Sequence, residues 1–138
     1  EITTRLVGSE MCIRDRLQEA GCGKYMAPAA LYHHRFYNGQ GGYPKDVPPC
    51  PPEVKVIVDA LSVADSLDAA TDNIGRCYQM AKPFRTLVGE LKAQSGTRYA
   101  PKVVALFDDK DFCAELAQRL DEKRKEVYLQ AYHIGREK

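Results

Sequence analysis

Two adjacent imidazoles and one carboxylate are the side chains of this sequence best suited to chemistry. His33 and His34 use two of the three histidines of the chain. Asp65 comes four residues after Leu61 in the apolar-periodic segment 53–71, so helical spacing places it on the apolar stripe of that segment. A carboxylate that faces a core without a partner is costly, and it requires arginine, lysine or a metal ion nearby. Imidazole nitrogen with carboxylate oxygen is a usual donor set for iron, manganese and zinc.

The same residue types also suit ordinary structural roles. The histidine pair is consistent with a helix end, where the helix dipole favours positive charge, and Asp65 with an ion pair to Arg35 or Arg76. Asp68 and Asp72 follow on nearly the same face, where capping or local bridging would explain them. Neighbouring helical residues point about 100° apart, so both imidazoles reach one metal only if the helix bends at its end, and otherwise they require two metals. Short motifs have low specificity, so the residues alone leave these roles open.

Hydrophobic periodicity predicts an all-α helical bundle, because no run alternates with period two for long enough to form a strand. The predicted helices cover residues 25–37, 53–71, 83–94, 101–107 and 110–134. The first of them carries the histidine pair in its last turns, and a loop rich in glycine and proline follows it. The buried stripe expected for the second is Val54, Ile57, Val58, Leu61, Ala64 and Leu67. The last is capped by Asp108 or Asp109, and its expected apolar face is Phe112, Leu116, Leu120, Val127 and Ala131.

Length and composition indicate one globular domain, or a piece of one, in a reducing compartment. The 138 residues are 44% hydrophobic and 28% charged, which is ordinary for a globular protein and too apolar for disorder. The net charge of +1 produces no field that attracts a DNA or RNA polymer, and no apolar run reaches the length of a membrane span. The five cysteines form no CxxC pair, so neither a zinc knuckle nor a disulfide framework is indicated. We therefore expect a reduced, cytoplasmic protein.

Three blocks of the sequence resemble the signature of the HD-GYP family, in the family's order. The block "HHRFYNGQGGYP", residues 33–44, is similar to the pattern HHE-x-x-D-G-x-G-Y-P. The block "VADSLDAATDNIGRCYQ", residues 63–79, resembles VADxxDALTxxRPYR, and "GTRYAPKVVALF", residues 96–107, resembles GxxFDPxxVxxF. The resemblance covers the chain from about Tyr25 to Phe107.

The resemblance implies a helical metal-dependent phosphohydrolase of the HD superfamily, in a family whose characterised members cleave the bacterial messenger cyclic di-GMP. Sites of the family hold two or three iron or manganese ions. The residues that match their ligands are His33, His34 and Asp65. The substrate-binding positions that the resemblance implies are Gly42, Tyr43, Pro44, Arg76 and Lys82. The resemblance assigns the activation of water to the metals, so it names no catalytic side chain.

Several positions depart from the family pattern. Arg35 replaces the expected glutamate, Asn38 replaces the aspartate, Gly41 is a one-residue insertion, and Gln79 stands where a lysine or arginine is expected. The His-Asp pair that normally bridges the metals should precede residue 25, and none stands there. We therefore expect an inactive fragment whose natural partner is the missing upstream half of the domain. A catalytically degenerate signalling or binding module is the alternative, since folds often persist without their catalysis, and a plain helical interaction domain is a third.

The first residues of the chain suggest a separate origin. Residues 10–16 read EMCIRDR, which resembles a translation of the transposon end that is ligated to DNA during sequencing-library preparation. The alternative is a natural amphipathic turn. Because an identity over seven residues is specific, we expect residues 1–16 to be an artefactual segment, and residues 17–138 to be the C-terminal part of an HD-GYP-like domain.

Overall fold

The computed structural model of the chain describes residues 2–74 and 80–136, with side chains from Glu10 to Ile134 within those ranges. Its helices are α1 (Ile2–Glu19), α2 (Met26–Tyr32), α3 (Pro52–Thr71), α4 (Phe84–Ala93), α5 (Pro101–Val104) and α6 (Lys110–Arg136), and a short 3₁₀ helix (Ala105–Asp108) joins the last two. Over the described ranges there is no β-strand, so the predicted all-α fold class is confirmed. None of the described helices is long and apolar enough to cross a lipid bilayer.

Helix α3 starts at the proline pair, one residue before its predicted start. Pro51 precedes the helix with an extended ψ of 135°, and Pro52 occupies the first turn, where its missing N–H leaves no helical hydrogen bond unmade. Glu53 adds a negative charge at the N-terminus, where the helix dipole favours it. The buried positions are Val54, Val58, Ser62, Val63 and Leu67. The predicted stripe is wrong at Ile57, Leu61 and Ala64, which are exposed because the described helices cover other sides of α3.

Two hydrophobic clusters meet on α3. Val63 and Leu67 belong to the larger one, which is completed by Leu87, Leu91, Tyr99, Val104 and Phe107. Val54 and Val58 belong to the smaller one, which is completed by Leu31 and Tyr32 of α2. Full burial of one such side chain stabilises the fold by roughly 1.5–3 kcal/mol. Helix α3 is therefore packed on two sides, and this fixes the position of the side chains that it presents between the clusters.

Helix α6 packs on the larger cluster near its N-terminus, and its apolar side chains are largely exposed further along. The Asp109 carboxylate accepts hydrogen bonds from the backbone N–H groups of Asp111 (2.8 Å) and Phe112 (3.1 Å), which makes it the N-terminal cap. Phe112 and Leu116 contact the larger cluster as expected. Val127 is 61% exposed, so the predicted apolar face does not continue into the second half of the helix. Sequence periodicity persists there, but the large apolar side chains of that half are exposed.

Side chains of helix α6 also form hydrogen bonds with the C-terminal end of α3. The Arg124 guanidinium donates to the Thr71 carbonyl oxygen, to the Thr71 hydroxyl (2.9 Å) and to the Asp68 carboxylate (2.8 Å). The Tyr128 hydroxyl donates to the Asp72 carboxylate at 2.9 Å. The carbonyl groups that end a helix have no partner within it, and a cation beside them also complements the helix dipole. These contacts fix the end of the helix that carries Asp65.

Candidate metal centre

The chain bends at the histidine pair. Helix α2 ends at Tyr32, where the N–H of His33 closes the last turn by donating to the Ala29 carbonyl at 3.2 Å. The His34 carbonyl then accepts the N–H of Tyr43 at 3.3 Å, instead of an N–H one helical turn further along. The predicted continuation of the helix to residue 37 is wrong because the glycine-rich segment folds back onto the histidines. Both imidazoles consequently project from a turn.

The glycine-rich segment is attached to the loop that precedes α5. The N–H groups of Tyr37 and Asn38 donate to the carbonyls of Arg98 (3.0 Å) and Thr97 (3.1 Å). Gly42 has a φ of 76°, a conformation that side chains with a Cβ rarely adopt. These hydrogen bonds join residues that are about sixty positions apart in sequence, and they hold the turn beside α4 and α5.

The two imidazole rings lie together, with centroids 3.9 Å apart and planes inclined by 38°. The Nδ1 atom of His33 is 2.9 Å from the Ala30 carbonyl oxygen and 3.2 Å from that of Ala29. Carbonyl oxygens only accept hydrogen bonds, so Nδ1 is the donor in this geometry and Nε2 is the nitrogen that a metal could reach. A backbone carbonyl that holds one ring nitrogen in this way is the usual support of a metal-ligating histidine.

The ring of His34 lies between two carboxylates. Its Nε2 atom is 3.4 Å from Oε1 of Glu10, and its Nδ1 atom is 3.8 Å from Oδ2 of Asp65. Glu10 is 5% exposed, whereas the Asp65 side chain is 44% exposed. Ligand atoms about 2.1 Å from a tetrahedral ion are about 3.4 Å apart. Either carboxylate can therefore share an ion with His34 after a small adjustment, while the other orients the ring by accepting its remaining N–H.

Three ligand groups come close enough to hold one ion. One ligand atom from each of Glu10, His33 and His34 lies within 4.8 Å of the others. Asp65 approaches the opposite nitrogen of His34. The structure thus places Glu10, which sequence reasoning missed, in one possible ligand cluster with His33 and His34, whereas Asp65 lies outside that cluster and approaches His34 from the other side of its ring. No spacing rule connects α1 with the end of α2, and the segment containing Glu10 was expected to be artefactual.

Burial shifts the pKa values of two side chains of the site, His34 and Tyr43. It lowers the pKa of the His34 imidazole, and the neighbouring His33 acts in the same direction, whereas Asp65 and Glu10 act against it. The neutral imidazole that results is the form that binds a metal. Tyr43 stacks on His34 with ring centroids 4.6 Å apart. Burial, followed by the charges of Glu10 and Asp65, raises the pKa of the Tyr43 hydroxyl, so the phenol stays protonated beside the carboxylates.

A cavity of about 710 Å³ is lined by His34 and by residues of α3 and α4. Its lining also includes Tyr43, Asp65, Lys82, Glu90 and Arg98. This volume lies within the range of about 300–1,000 Å³ that is typical of small-molecule sites. Two of the candidate metal ligands, His34 and Asp65, therefore stand in the wall of a space large enough for a ligand.

The predicted substrate-binding residues occupy different positions relative to this cavity. Gly42, Tyr43 and Lys82 line it. Pro44 is fully buried, and its peptide bond with Tyr43 is cis. The Lys82 ammonium donates to both carboxylate oxygens of Glu90, at 2.7 and 2.8 Å, so its charge already has a partner. Arg76 lies outside the described residues.

The sequence also allowed structural roles for Asp65, Asp68 and Asp72. Asp68 pairs with Arg124 of α6, and Asp72 accepts a hydrogen bond from Tyr128, so both carboxylates serve the end of α3. Arg35 donates to the carbonyls of Val47 and Pro48, each at 3.4 Å, and the structure shows no ion pair between Arg35 and Asp65 among its described residues.

Comparison with known proteins gives one informative match. The chain is 35% identical over 81 residues to a cyclic di-GMP phosphodiesterase from Thermotoga maritima. The matched stretch is 59% of this chain and 21% of the length of that relative. No protein-family model matches the chain. No solved structure matches it either.

Proposed function

We propose that this chain is part of a metal-dependent phosphodiesterase of the HD-GYP type, with residues 17–138 as the C-terminal part of that domain. The observation that carries the proposal is the approach of the Asp65 carboxylate to the His34 ring in the wall of a cavity. The similarity to a cyclic di-GMP phosphodiesterase supports it. The parent protein would be a bacterial signalling enzyme of the cytoplasm that hydrolyses cyclic di-GMP. The artefactual origin of residues 1–16 stays a prediction.

We assign His33, His34 and Asp65 as metal ligands. His33 offers Nε2, because carbonyl oxygens occupy its Nδ1 side. His34 offers the nitrogen that faces Asp65, and in this chain the Glu10 carboxylate lies 3.4 Å from the other nitrogen. This set of nitrogen and oxygen donors suits iron or manganese. A divalent ion held there supplies a water of lowered pKa and a clamp on the phosphate oxygens.

The remaining residues of the site shape the space for the substrate. Tyr43 covers one face of the His34 ring and so restricts the access of bulk water to it. Gly42 brings the backbone to the cavity wall without a side chain, which lets a phosphate approach closely. Lys82 and Arg98 add positive charge along the wall towards α4. The wall of the cavity therefore carries both candidate metal ligands and cations for an anionic substrate.

The chain alone is proposed to be inactive. The assigned set provides three donors, and the two or three ions expected for the intact site need more ligands than that. A second candidate function is a degenerate binding module. It is favoured by Arg35, which stands where the family pattern has a glutamate and whose guanidinium donates to the Val47 and Pro48 carbonyls. The two functions differ in turnover. With the upstream half of the domain restored, the enzyme hydrolyses cyclic di-GMP, whereas the module binds it without hydrolysis.

Metal binding by substituted chains tests the ligand assignment. The affinity for Mn²⁺ is measured by equilibrium dialysis and elemental analysis for the wild-type chain and for His34→Ala, Asp65→Asn and Glu10→Gln. We expect His34→Ala and Asp65→Asn to weaken binding by at least about tenfold. Glu10→Gln retains an oxygen that accepts a hydrogen bond from His34, so we expect a smaller loss.

The matched control is His133→Ala, which removes an imidazole from the exposed surface of α6. Its Mn²⁺ affinity should equal that of the wild type. If His34→Ala binds Mn²⁺ as tightly as His133→Ala does, the assignment is wrong. If Glu10→Gln loses more affinity than Asp65→Asn, the ion lies on the Glu10 side of the ring and the assigned set must change.

A further inference from the structure

Arg98 is a cation of the cavity wall to which neither the motifs nor the metal assignment gives a role. It stands at an unspecified position of the third family block, between Gly96 and Tyr99. Lys82, on the same wall, is neutralised by Glu90. Arg98 is exposed, and it forms no ion pair with any residue that the structure describes. Its charge is therefore available to a ligand in the cavity.

The backbone of Arg98 is held from two directions. Its N–H donates to the Gln94 carbonyl at the end of α4 (3.1 Å), and its carbonyl accepts the N–H of Tyr37 (3.0 Å). The second bond ties it to the same turn that carries His33 and His34. A side chain that starts from this position keeps a constant relation to the candidate metal ligands, which a residue on a free loop would not.

Two aromatic rings support the guanidinium group. Its central carbon is 5.2 Å from the ring centroid of Tyr99 and 5.7 Å from that of Phe36. Tyr99 is buried, and its hydroxyl donates to the Ser66 hydroxyl on α3 at 3.0 Å, directly after Asp65. A guanidinium that stacks on a ring keeps its N–H donors in the plane of the group, where they can bind two oxygens of one phosphate.

Arg98 lines the same cavity as His34 and Asp65. The aromatic support, the fixed backbone and the unpaired charge describe a preorganised anion site in the wall that it shares with these two candidate metal ligands. We propose that Arg98 binds a phosphate group of the cyclic dinucleotide and so positions it along the cavity. This inference rests on the proposed function, because it takes the ligand of the cavity to be a phosphodiester.

Binding of cyclic di-GMP to the Mn²⁺-loaded chain tests the inference by isothermal titration calorimetry. Arg98→Gln should raise the Kd by about tenfold to a hundredfold, as expected for the loss of a charge-assisted hydrogen-bonded pair. Arg98→Lys keeps the charge without the planar fork and should give an intermediate Kd. The Kd of the wild type should rise with salt concentration more steeply than that of Arg98→Gln, a difference that a purely structural role would not produce.

The control is Lys102→Gln, which removes one exposed positive charge from α5, away from the cavity lining. Mn²⁺ content and thermal midpoint are measured for every variant, and both should stay at their wild-type values. If the wild type binds and Arg98→Gln binds as tightly as Lys102→Gln, this inference fails and the proposed function stands. If the Mn²⁺-loaded wild type does not bind cyclic di-GMP at all, the proposed function fails, and the inference fails with it.

Discussion

Replacing Gly42 with alanine perturbs the turn that holds the histidine pair. A Cβ atom at this position would lie 2.0 Å from the His34 carbonyl oxygen and 2.8 Å from the Cα atom of Arg35. Both neighbours are backbone atoms, so no rotation of a side chain relieves the overlap. The two chain segments must separate by about 1 Å to reach ordinary contact distances. This displacement moves His34 itself, which is a candidate ligand.

Gly39 provides a matched control for this substitution. Its φ of 75° is nearly the same as the 76° of Gly42, but a Cβ on Gly39 would meet no atom within 4 Å. Both alanine variants carry the cost of a left-handed backbone, about 1–2 kcal/mol. Only Gly42→Ala also loses the hydrogen bond from Tyr43 to His34, worth about 1 kcal/mol, and the stacking of their rings, worth roughly 0.5–1.5 kcal/mol.

We therefore expect Gly39→Ala to lower the free energy of unfolding by about 1–2 kcal/mol and Gly42→Ala by about 2.5–4.5 kcal/mol. Urea denaturation followed by circular dichroism measures both values. Mn²⁺ affinity should fall in Gly42→Ala and stay unchanged in Gly39→Ala, since metal ligands tolerate little displacement. Unfolding free energies that agree within about 0.5 kcal/mol between the two variants would refute the reasoning, because the close approach to the His34 carbonyl would then carry no cost.

Two further substitutions test the surroundings of the site. Arg124→Ala removes the guanidinium that contacts the C-terminus of α3, and it should lower the free energy of unfolding by about 2–3 kcal/mol. The control is Arg119→Ala, which breaks an exposed ion pair within α6 and should lower the free energy of unfolding by about 0.5 kcal/mol or less. Equal midpoints of urea denaturation would contradict the capping role. Glu90→Gln releases the ammonium of Lys82 into the cavity, so the Kd for cyclic di-GMP should fall several-fold at low salt. An unchanged or higher Kd in calorimetry would show that Lys82 does not face the ligand.

Much of the helical structure follows from local chemistry that can be read in the sequence. Proline marks the starts of α3, α4 and α5, because its fixed φ and missing N–H suit the entry to a helix. Asp109 caps α6 for the equally local reason that its carboxylate reaches two free N–H groups of the first turn. These signals act over three or four residues, so no knowledge of the rest of the fold was needed to predict them.

The features that were predicted wrongly depend on distant parts of the chain. Helix α2 stops at Tyr32 because its continuation pairs with residues near Arg98, and helical periodicity contains no information on that pairing. Ile57 and Leu61 lie exposed on α3 although their spacing fits a buried stripe, since burial depends on where the other helices pack. The proximity of Asp65 to His34 came from the family resemblance alone, because spacing places a residue on a face of its helix without showing what lies opposite.

The arrangement of the two clusters explains how separate segments form one site. The smaller cluster fixes the end of α2, and with it His34, against the first half of α3. The larger cluster fixes α4 and the loop containing Tyr99 against the second half of α3. The cavity lies between them, and Asp65 lines it from the shared helix. The distance between the candidate metal ligands and the cation at Arg98 is therefore set by the packing on both sides of α3, so the site is preorganised before any ligand enters.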